Sequence, residues 1–455
     1  MIAPGLGILA AVWVGGAVAW LVLTWLTTRW SARPAKGVST RGAAGVIVAV
    51  AILLRALPVG LLPVSLSDDI WRYVHDGRTL ARGENPYVRS PAEDLARAVA
   101  GNDVAAAQAL KNVNNPELVT IYQPASQWLF AATAWGVQGV WEQAPAQVHA
   151  RVLRGAFAAI DLLIVVLLLL ELRRRRASPW WSTLYAWSPA VFLETTWAGH
   201  QDGLGVLAVV ATLMLAGHAK RLGSAMKRGT WIAVLAGMTL AIAVAVKPVA
   251  LPLALPLAWS LRSRPKRMAC AAAACVATLM AFYLPFFFME GGMAGMLETS
   301  RRFMADWRFN GAIHPLLEAL AKAAGLGGQA AKSTADSVCA VALAGVLGVA
   351  TFRLRDLWQV TLIYFALLVG LSSTVHPWYL LWALGVLPVA RAGAARWGPA
   401  TAATWTAALA LPWGYVAWLE VAAGRGYTVS VGVQVLCWTP ILIAAGVGWR
   451  LRRGD

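Results

Sequence analysis

The chain has 455 residues, of which 59% are hydrophobic, 13% are charged and 24 are tryptophan. This composition is typical of a polytopic membrane protein and excludes an ordinary soluble domain. The formal net charge is +18, but the basic residues form short clusters between apolar runs, as topology determinants do, so the charge does not indicate a nucleic-acid partner. The four cysteines have no CxxC spacing and indicate neither a zinc site nor a disulfide framework.

Apolar runs predict an all-α, polytopic transmembrane protein with about thirteen spans. The runs are residues 5–26, 43–64, 151–171, 179–195, 203–219, 230–246, 248–261, 268–288, 336–352, 358–374, 378–390, 398–419 and 428–449. With no soluble appendage and no internal repeat, residues 1–455 are predicted to form a single integral membrane domain.

The basic clusters orient these spans. When the N-terminus is outside, the short basic loops at residues 29–41, 173–176, 220–228, 262–267, 353–355, 391–396 and 450–453 are cytoplasmic, as the positive-inside rule requires. A loop at 65–150 and a segment at 289–333 then lie outside. The apolar run 121–141 belongs to that loop, because a crossing there would move the 173–176 cluster outside. This run is therefore predicted to be a juxtamembrane or re-entrant helix.

The most polar stretch of the chain, residues 67–87, follows directly after the second predicted span. On a helix that begins near its start, Asp69, Tyr73 and Asp76 stand at positions i, i+4 and i+7 and share one face. Such a helix would lie on the membrane with its carboxylates facing an outer cavity. The stretch is thus a candidate for chemistry at the membrane surface.

A structural alternative explains the same charges without chemistry. Ser67 and Asp68 are residue types that cap helices, and Asp68 with Arg72, or Arg72 with Asp76, has the spacing of a solvent-exposed ion pair. Ionisable groups recur at other outer turns, however, and at a membrane boundary such groups are functional by default. The ionisable groups at these other outer turns are His200, Asp202, Lys247, Arg301, Arg302 and His376.

Each of these outer groups has a structural alternative as well. Asp202 could cap a turn, the aromatic belt explains the residues beside His376, and Arg301 and Arg302 could bind lipid headgroups. Lys247, Arg301 and Arg302 have the charge that phosphoryl oxygens need. No fixed ligand spacing supports a His/Asp metal site.

Five motifs in order resemble a known family. The first is SDDIWRYVHDGRTLARGENPY with NNPELVTIYQPASQWLFA, and the others are WAGHQD, AVKPVALPLALP, DWRFNGAIHPLL and HPWYLLWALGVLP. Together they resemble the bacterial clan C (GT-C) membrane glycosyltransferases that use polyprenyl-phosphate sugars, most closely the family 87 or mannosyltransferase-like group. One departure is Tyr122-Gln123-Pro124, which stands where that family usually has Tyr-Pro-Pro.

The resemblance implies a GT-C-like fold in the cytoplasmic membrane with an active site on the periplasmic face. It implies inverting transfer of a hexose, most often mannose, from a polyprenyl-phosphate donor to the hydroxyl of a glycan or lipid-linked acceptor. Asp69 would be the base, while Asp68 would orient the acceptor or bind a divalent metal if the reaction uses one.

The resemblance gives the other candidates substrate-binding roles, and the residues leave rival functions open. Lys247, Arg301 and Arg302 would bind the lipid phosphate, and His200, Asp202 and His376, with Tyr73 and Tyr122, would line the sugar or acceptor pocket. A transporter or lipid flippase is one alternative, although charges near the midplane would then be expected. A polysaccharide ligase or polymerase with a lipid-diphosphate donor is another. The residues identify neither sugar nor acceptor.

Overall fold

A computed structural model of the chain describes residues 14–22, 24–26, 40–63, 67–102, 107, 110–222, 227–394, 396–422, 424 and 426–453. This part of the chain is mostly helical. Its only β-type pairing is a pair of isolated bridges that join Phe309 and Asn310 to Thr374. The predicted all-α class is therefore confirmed for the described residues.

Twenty α-helices are numbered here in chain order. The first ten are α1 (Thr40–Leu61), α2 (Asp69–Ala81), α3 (Pro91–Ala100), α4 (Pro124–Gln138), α5 (Ala146–Arg174), α6 (Thr183–Ala186), α7 (Pro189–Phe192), α8 (Asp202–Arg221), α9 (Lys227–Val246) and α10 (Ala254–Leu261). The others are α11 (Pro265–Phe288), α12 (Ala294–Asp306), α13 (Ile313–Ala323), α14 (Gly328–Arg353), α15 (Leu357–Leu371), α16 (Leu381–Leu384), α17 (Leu387–Ala392), α18 (Pro399–Ala410), α19 (Ala417–Ala422) and α20 (Val431–Arg453).

Seven helices of the described chain are long and apolar enough to cross a membrane, namely α1, α5, α8, α9, α11, α14 and α20. They match seven of the predicted spans and indicate a membrane protein. The spans predicted at 248–261 and 358–374 correspond to shorter apolar helical segments. The run at 5–26 lies partly outside the described residues. The count of thirteen spans remains a prediction.

Three predicted spans are interrupted rather than continuous helices. Residues 179–197 form a 3-10 turn, two short α-helices and a π-helical turn (Leu193–Trp197), and the runs at 378–390 and 398–419 are likewise broken into short pieces. Proline causes much of this, because it lacks the N–H that continues a helix and disfavours the helical conformation of the residue before it. Pro179, Pro189, Pro377 and Pro399 each stand at the start of such a piece.

Two sets of charged groups lie at opposite ends of the helix bundle. At one end, which we call the basic end, Arg175 after α5 pairs with Asp356 before α15 at 2.7 Å, and Arg267 at the start of α11 donates to the carbonyl of Ala219 in α8 at 2.7 Å. At the other, the site end, Asp202 at the start of α8 meets Lys247 at the end of α9. The short loop between α8 and α9 explains this placement, because antiparallel neighbours bring the start of one helix to the end of the next.

The two segments predicted to lie outside are also helical in part. Residues 65–150 include α2, α3, α4 and the start of α5, and residues 289–333 include α12, α13 and the start of α14. Most of the run 121–141 forms α4, which packs along α2 and α5, and its place relative to the membrane remains a prediction. Gly77 of α2 permits this close approach, because a Cβ atom there would lie 2.5 Å from the carbonyl oxygen of Phe130.

Candidate active site

A single amide holds the two adjacent carboxylates at the start of α2. The Nδ2 atom of Asn114 donates to Asp68 Oδ1 at 3.0 Å and to Asp69 Oδ1 at 2.6 Å. The second oxygen of Asp69 faces the ring of His200, and 15% of the Asp69 side chain is exposed. Asp69 is therefore fixed in orientation but accessible from outside.

Arg72 positions the loop that supplies this amide. Its guanidinium is buried and donates to the carbonyls of Asn114, Asn115 and Leu118, the last at 2.7 Å. The prediction of a solvent-exposed ion pair between Arg72 and Asp68 or Asp76 is therefore wrong, because the Arg72 guanidinium is buried and donates its hydrogen bonds to backbone carbonyls. Asp76 is also buried and accepts a hydrogen bond from Gln127 at 3.0 Å.

The capping alternative for Asp68 is also wrong. The Asp68 side chain makes no capping hydrogen bond to the backbone of α2. Instead, the hydroxyl of Ser67 accepts from the backbone N–H of Asp69 at 3.3 Å. The Asp68 carboxylate is thus directed to Asn114 and not to its own helix.

Two tyrosines form the wall beside Asp69. Tyr73 stacks on Phe130 with the ring centroids 4.6 Å apart, and Tyr122 meets its edge at 4.7 Å. Tyr122 also acts to lower the pKa of Asp69. Gln123, the departure from the family pattern, accepts from the hydroxyl of Tyr283 at 2.8 Å, and α4 begins at the following proline.

A turn at Gly199 places His200 beside Asp69. Gly199 has a φ of +75°, which glycine adopts freely, and a Cβ there would lie 3.0 Å from Ile70 Cδ1. Buried Arg154 donates to the carbonyl of Thr196 at 2.7 Å and to that of Pro58 in α1 at 2.6 Å. One guanidinium therefore ties α1 to the turn that presents His200.

Five rings form a continuous stack next to this turn, which we call the ring stack. His200 lies on Trp378 at 3.8 Å between centroids, Trp378 on His376 at 4.3 Å, His376 on Phe309 at 4.5 Å and Phe309 on Tyr427 at 4.9 Å. The inner rings have both faces covered, so the stack joins four separate parts of the chain. It does not offer those faces to a sugar.

Asp202 and Lys247 form an ion pair at the site end. The Lys247 ammonium lies 3.0 Å from Asp202 Oδ1, which also accepts from Trp382 Nε1 at 2.7 Å. The ammonium also lies 3.9 Å from the centroid of the Tyr379 ring, a cation–π distance. With 25% of its side chain exposed, Lys247 is a cation that an anionic ligand can reach.

Arg301 and Arg302 are placed differently from the other candidates. Both are exposed on α12, and Arg302 pairs with Glu298 at 3.0 Å across one turn of that helix. Among the described contacts, neither arginine meets the Asp68 and Asp69 carboxylates. The structure thus brings together the candidates of α2, α8, α9 and the 376–379 turn, but not these two.

Burial changes the ionisation of the site. It raises the pKa of Asp68 to about 6, with a further contribution from the neighbouring charge of Asp69, while the hydrogen bond from Asn114 opposes the rise. Burial also raises the pKa of Asp69, against the effects of Asn114, Arg72 and Tyr122. Burial lowers the pKa of His376 to about 3, helped by the charge of Lys247. The carboxylates therefore titrate closer to neutral pH, and His376 is a neutral imidazole.

Several residues of the site were not predicted to take part in it. These are Asn114, Glu194, Phe309, Trp378, Tyr415 and Tyr427. Asn114 lies in the first of the five motifs, and this location was a signal in the sequence for its role in the site. The aromatic residues had an equally good explanation as an interfacial belt, and only their contacts distinguish them.

No family model, curated protein or solved structure matches the chain. Among the residues that the structure describes, no group of three or more His, Cys, Asp or Glu side chains is placed to hold a metal ion.

Proposed function

We propose that the protein is an inverting glycosyltransferase that moves a hexose from a polyprenyl-phosphate donor to an acceptor hydroxyl. The observation that carries this proposal is the placement of an accessible, oriented carboxylate, Asp69, at the same bundle end as the accessible cation Lys247. The resemblance to clan C glycosyltransferases favours the same reaction. It also favours mannose as the sugar and the outer face of the cytoplasmic membrane as the place.

The geometry suits the chemical needs of this transfer. A general base must reach the acceptor hydroxyl, and Asp69 has one oxygen held by Asn114 and the other beside His200. As the acceptor oxygen bonds to the anomeric carbon, the bond from that carbon to the phosphate breaks and the phosphate takes the electron pair. Lys247 would stabilise the charge that grows on the phosphate. Asp68 would orient the acceptor.

A donor panel tests the proposal. Purified protein would be incubated with radiolabelled polyprenyl-phosphate hexoses and a lipid extract from the source organism, and the transfer of label would be followed. We expect transfer from at least one monophosphate donor. Failure with every monophosphate, together with turnover of a diphosphate donor, would favour a ligase or polymerase instead.

Removing the shared amide should move the acid limb of the pH–rate profile. Asn114→Leu takes a donor from both carboxylates, so their pKa values rise and a higher pH is needed to ionise the base. A hydrogen bond to a charged group is worth about 1.5–3 kcal/mol, which corresponds to about one to two pH units. The measurement is kcat/KM between pH 5 and 9, and the control is Asn112→Leu, the same change at an exposed position. If the acid limb of Asn114→Leu lies at the same pH as that of the wild type, the Asn114 amide does not affect the ionisation of the base.

Lys247 should matter more for donor binding than the arginines of α12. Lys247→Met removes the cation at the site end, and we expect the donor KM to rise by about tenfold or more, as loss of a charge-assisted contact implies. The double variant Arg301→Ala/Arg302→Ala should change it less, because both arginines are exposed on another helix. A larger rise of the donor KM in Arg301→Ala/Arg302→Ala than in Lys247→Met would indicate that the two arginines bind the lipid phosphate instead.

A transporter or lipid flippase is the second candidate, and the interrupted segments at 179–197 and 377–392 favour it. Broken helices in transporters bind substrate near the bilayer midplane. Here the pair of Asp202 and Lys247 lies at helix ends instead. A transporter would return the lipid-linked sugar intact, so detection of the cleaved donor separates the two functions.

A further inference from the structure

Lys247 stands at a break in the backbone that fixes where its side chain begins. It follows α9 directly in an extended conformation, with φ −156° and ψ 121°, and a 3-10 turn, Pro248–Leu253, comes next. The residue before a proline is disfavoured in the helical conformation, so the sequence Lys-Pro itself produces this break. The backbone N–H of Lys247 still donates to the carbonyl of Ala243 at 3.0 Å. The lysine side chain therefore leaves the end of α9 at a defined point.

A carboxylate takes one of the three N–H groups of the Lys247 ammonium. Asp202 Oδ1 lies 3.0 Å from Lys247 Nζ, and Trp382 Nε1 donates to the same oxygen at 2.7 Å. The Asp202 side chain is only 2% exposed, so these two donors fix its orientation. Two N–H groups of the ammonium remain for other partners.

An aromatic face, and not a second carboxylate, takes the next position around the ammonium. Lys247 Nζ lies 3.9 Å from the centroid of the Tyr379 ring. Tyr379 belongs to the 3-10 turn Pro377–Leu380, and its ring meets the rings of His376 and Trp378 edge-on, with centroids 5.5 and 5.9 Å away. A ring face attracts a cation through its quadrupole but carries no net charge. A second carboxylate would instead make the cluster net negative, and it would repel a phosphate.

The third N–H of Lys247 is left for a ligand. Within the described part of the chain the ammonium has no partner besides Asp202 and Tyr379, and 25% of the lysine side chain is exposed. The cation also lies close to the proposed base along the chain of contacts. His200 Nδ1 lies 3.5 Å from Asp69 Oδ2, and the His200 ring lies on Trp378, the neighbour of Tyr379. One turn of backbone thus positions both the cation and the histidine beside the base.

We propose that Tyr379 is a positioning residue for the donor: its ring face holds the Lys247 ammonium so that the remaining N–H meets the phosphate of the polyprenyl-phosphate sugar. This rests on the proposed function, which supplies the lipid phosphate as the ligand. No bond forms or breaks at either residue. The contact acts on binding, because an ammonium that is already held in place loses less freedom when the phosphate arrives. The role belongs to the ring face, so it does not require the phenolic hydroxyl.

A graded change of the ring tests this role while it preserves the shape. Tyr379→Phe removes only the hydroxyl, Tyr379→Leu removes the ring face, and three further variants carry phenylalanine with one, two or three ring fluorines at position 379. Fluorine withdraws electron density from the ring face and so weakens its attraction for a cation. The probe is radiolabelled undecaprenyl monophosphate, whose Kd for the purified protein is measured by scintillation proximity, and the donor KM and kcat are measured in parallel. The control is the same fluorine series at Phe288, which is 78% exposed at the end of α11 and has no cation over its ring among the described contacts.

We expect Tyr379→Phe to bind within about twofold of the wild type and Tyr379→Leu to bind about 3–30-fold more weakly, the range that a cation–π contact gives. Each added fluorine should raise the Kd and the donor KM, with kcat within about threefold, and the Phe288 series should leave all three unchanged.

Folded variants with the same Kd at every degree of fluorination would show that Tyr379 only fills space and would overturn the inference, even if Tyr379→Leu bound weakly. Failure of the wild type to bind undecaprenyl monophosphate would overturn it as well. Binding of this lipid with a graded fluorine series, but without transfer of sugar from any donor, would support the role of Tyr379 and contradict the proposed function alone.

Discussion

Asp69→Asn is expected to lower kcat by about 10²–10⁴-fold, the contribution of a positioned general base. Asparagine has the same shape and can still meet Asn114 and His200, but it cannot accept the proton of the acceptor hydroxyl. The variant should therefore fold normally and bind donor with a KM close to that of the wild type. The measurement is the steady-state rate with saturating donor over a range of acceptor concentrations.

Two further substitutions make this result specific. Asp68→Asn should lower kcat less, because Asp68 lies beside the base and shares its amide partner. Asp306→Asn, at an exposed aspartate at the end of α12, is the matched control and should be neutral. A folded Asp69→Asn protein with full activity would show that Asp69 is not the general base. A larger loss in Asp68→Asn than in Asp69→Asn would exchange the two roles.

Arg55→Met is expected to lower the free energy of unfolding by about 3–5 kcal/mol, the cost of leaving a buried charge without its partner. Arg55 of α1 is 1% exposed, and its Nε lies 2.6 Å from Asp161 Oδ2 in α5. Asp161 also accepts from the hydroxyl of Tyr185, and the guanidinium donates to the carbonyl of Ala186. This pair therefore joins α1, α5 and the interrupted segment that leads to His200.

The comparison that isolates the pair uses a second charge on the same helix. Arg41→Met is the same chemical change at an exposed position of α1 and should leave the thermal midpoint in detergent unchanged within about 2 °C. The double variant Arg55→Met/Asp161→Leu should recover part of the loss, because it leaves no lone charge behind. Equal midpoints for Arg55→Met and Arg41→Met would show that the ion pair does not hold the bundle together.

The sequence was most informative where one physical cause dominates. Long apolar runs form helices because a membrane span must satisfy its own backbone, so α1, α5, α8, α9, α11, α14 and α20 stand where the runs predicted. The start of α2 was predicted within two residues from Ser67. Asp69, His200, Asp202, Lys247 and His376 lie at one bundle end, and the outward orientation of that end remains a prediction.

The sequence was least informative where two explanations fit the same residues. Arg72 and Asp76 have the spacing of an exposed ion pair, and only the folded loop at 114–118 shows that Arg72 is buried among carbonyls. Hydropathy counts an apolar run without regard to its proline interruptions, so residues 179–195, most of the broken segment 179–197, were predicted as one span. The contacts of Glu194 could not be predicted, because its partner Tyr415 comes from a distant part of the chain.

The most direct test of the account is to follow the fate of one donor molecule. Purified protein in vesicles would receive a doubly labelled polyprenyl-phosphate hexose and an acceptor, and the products would be analysed for free polyprenyl phosphate and for the anomeric configuration of the transferred sugar. We expect equal amounts of polyprenyl phosphate and glycosylated acceptor, with inverted configuration, and about 10²–10⁴-fold slower formation of both products by Asp69→Asn. Movement of the intact donor across the vesicle membrane without cleavage would contradict it.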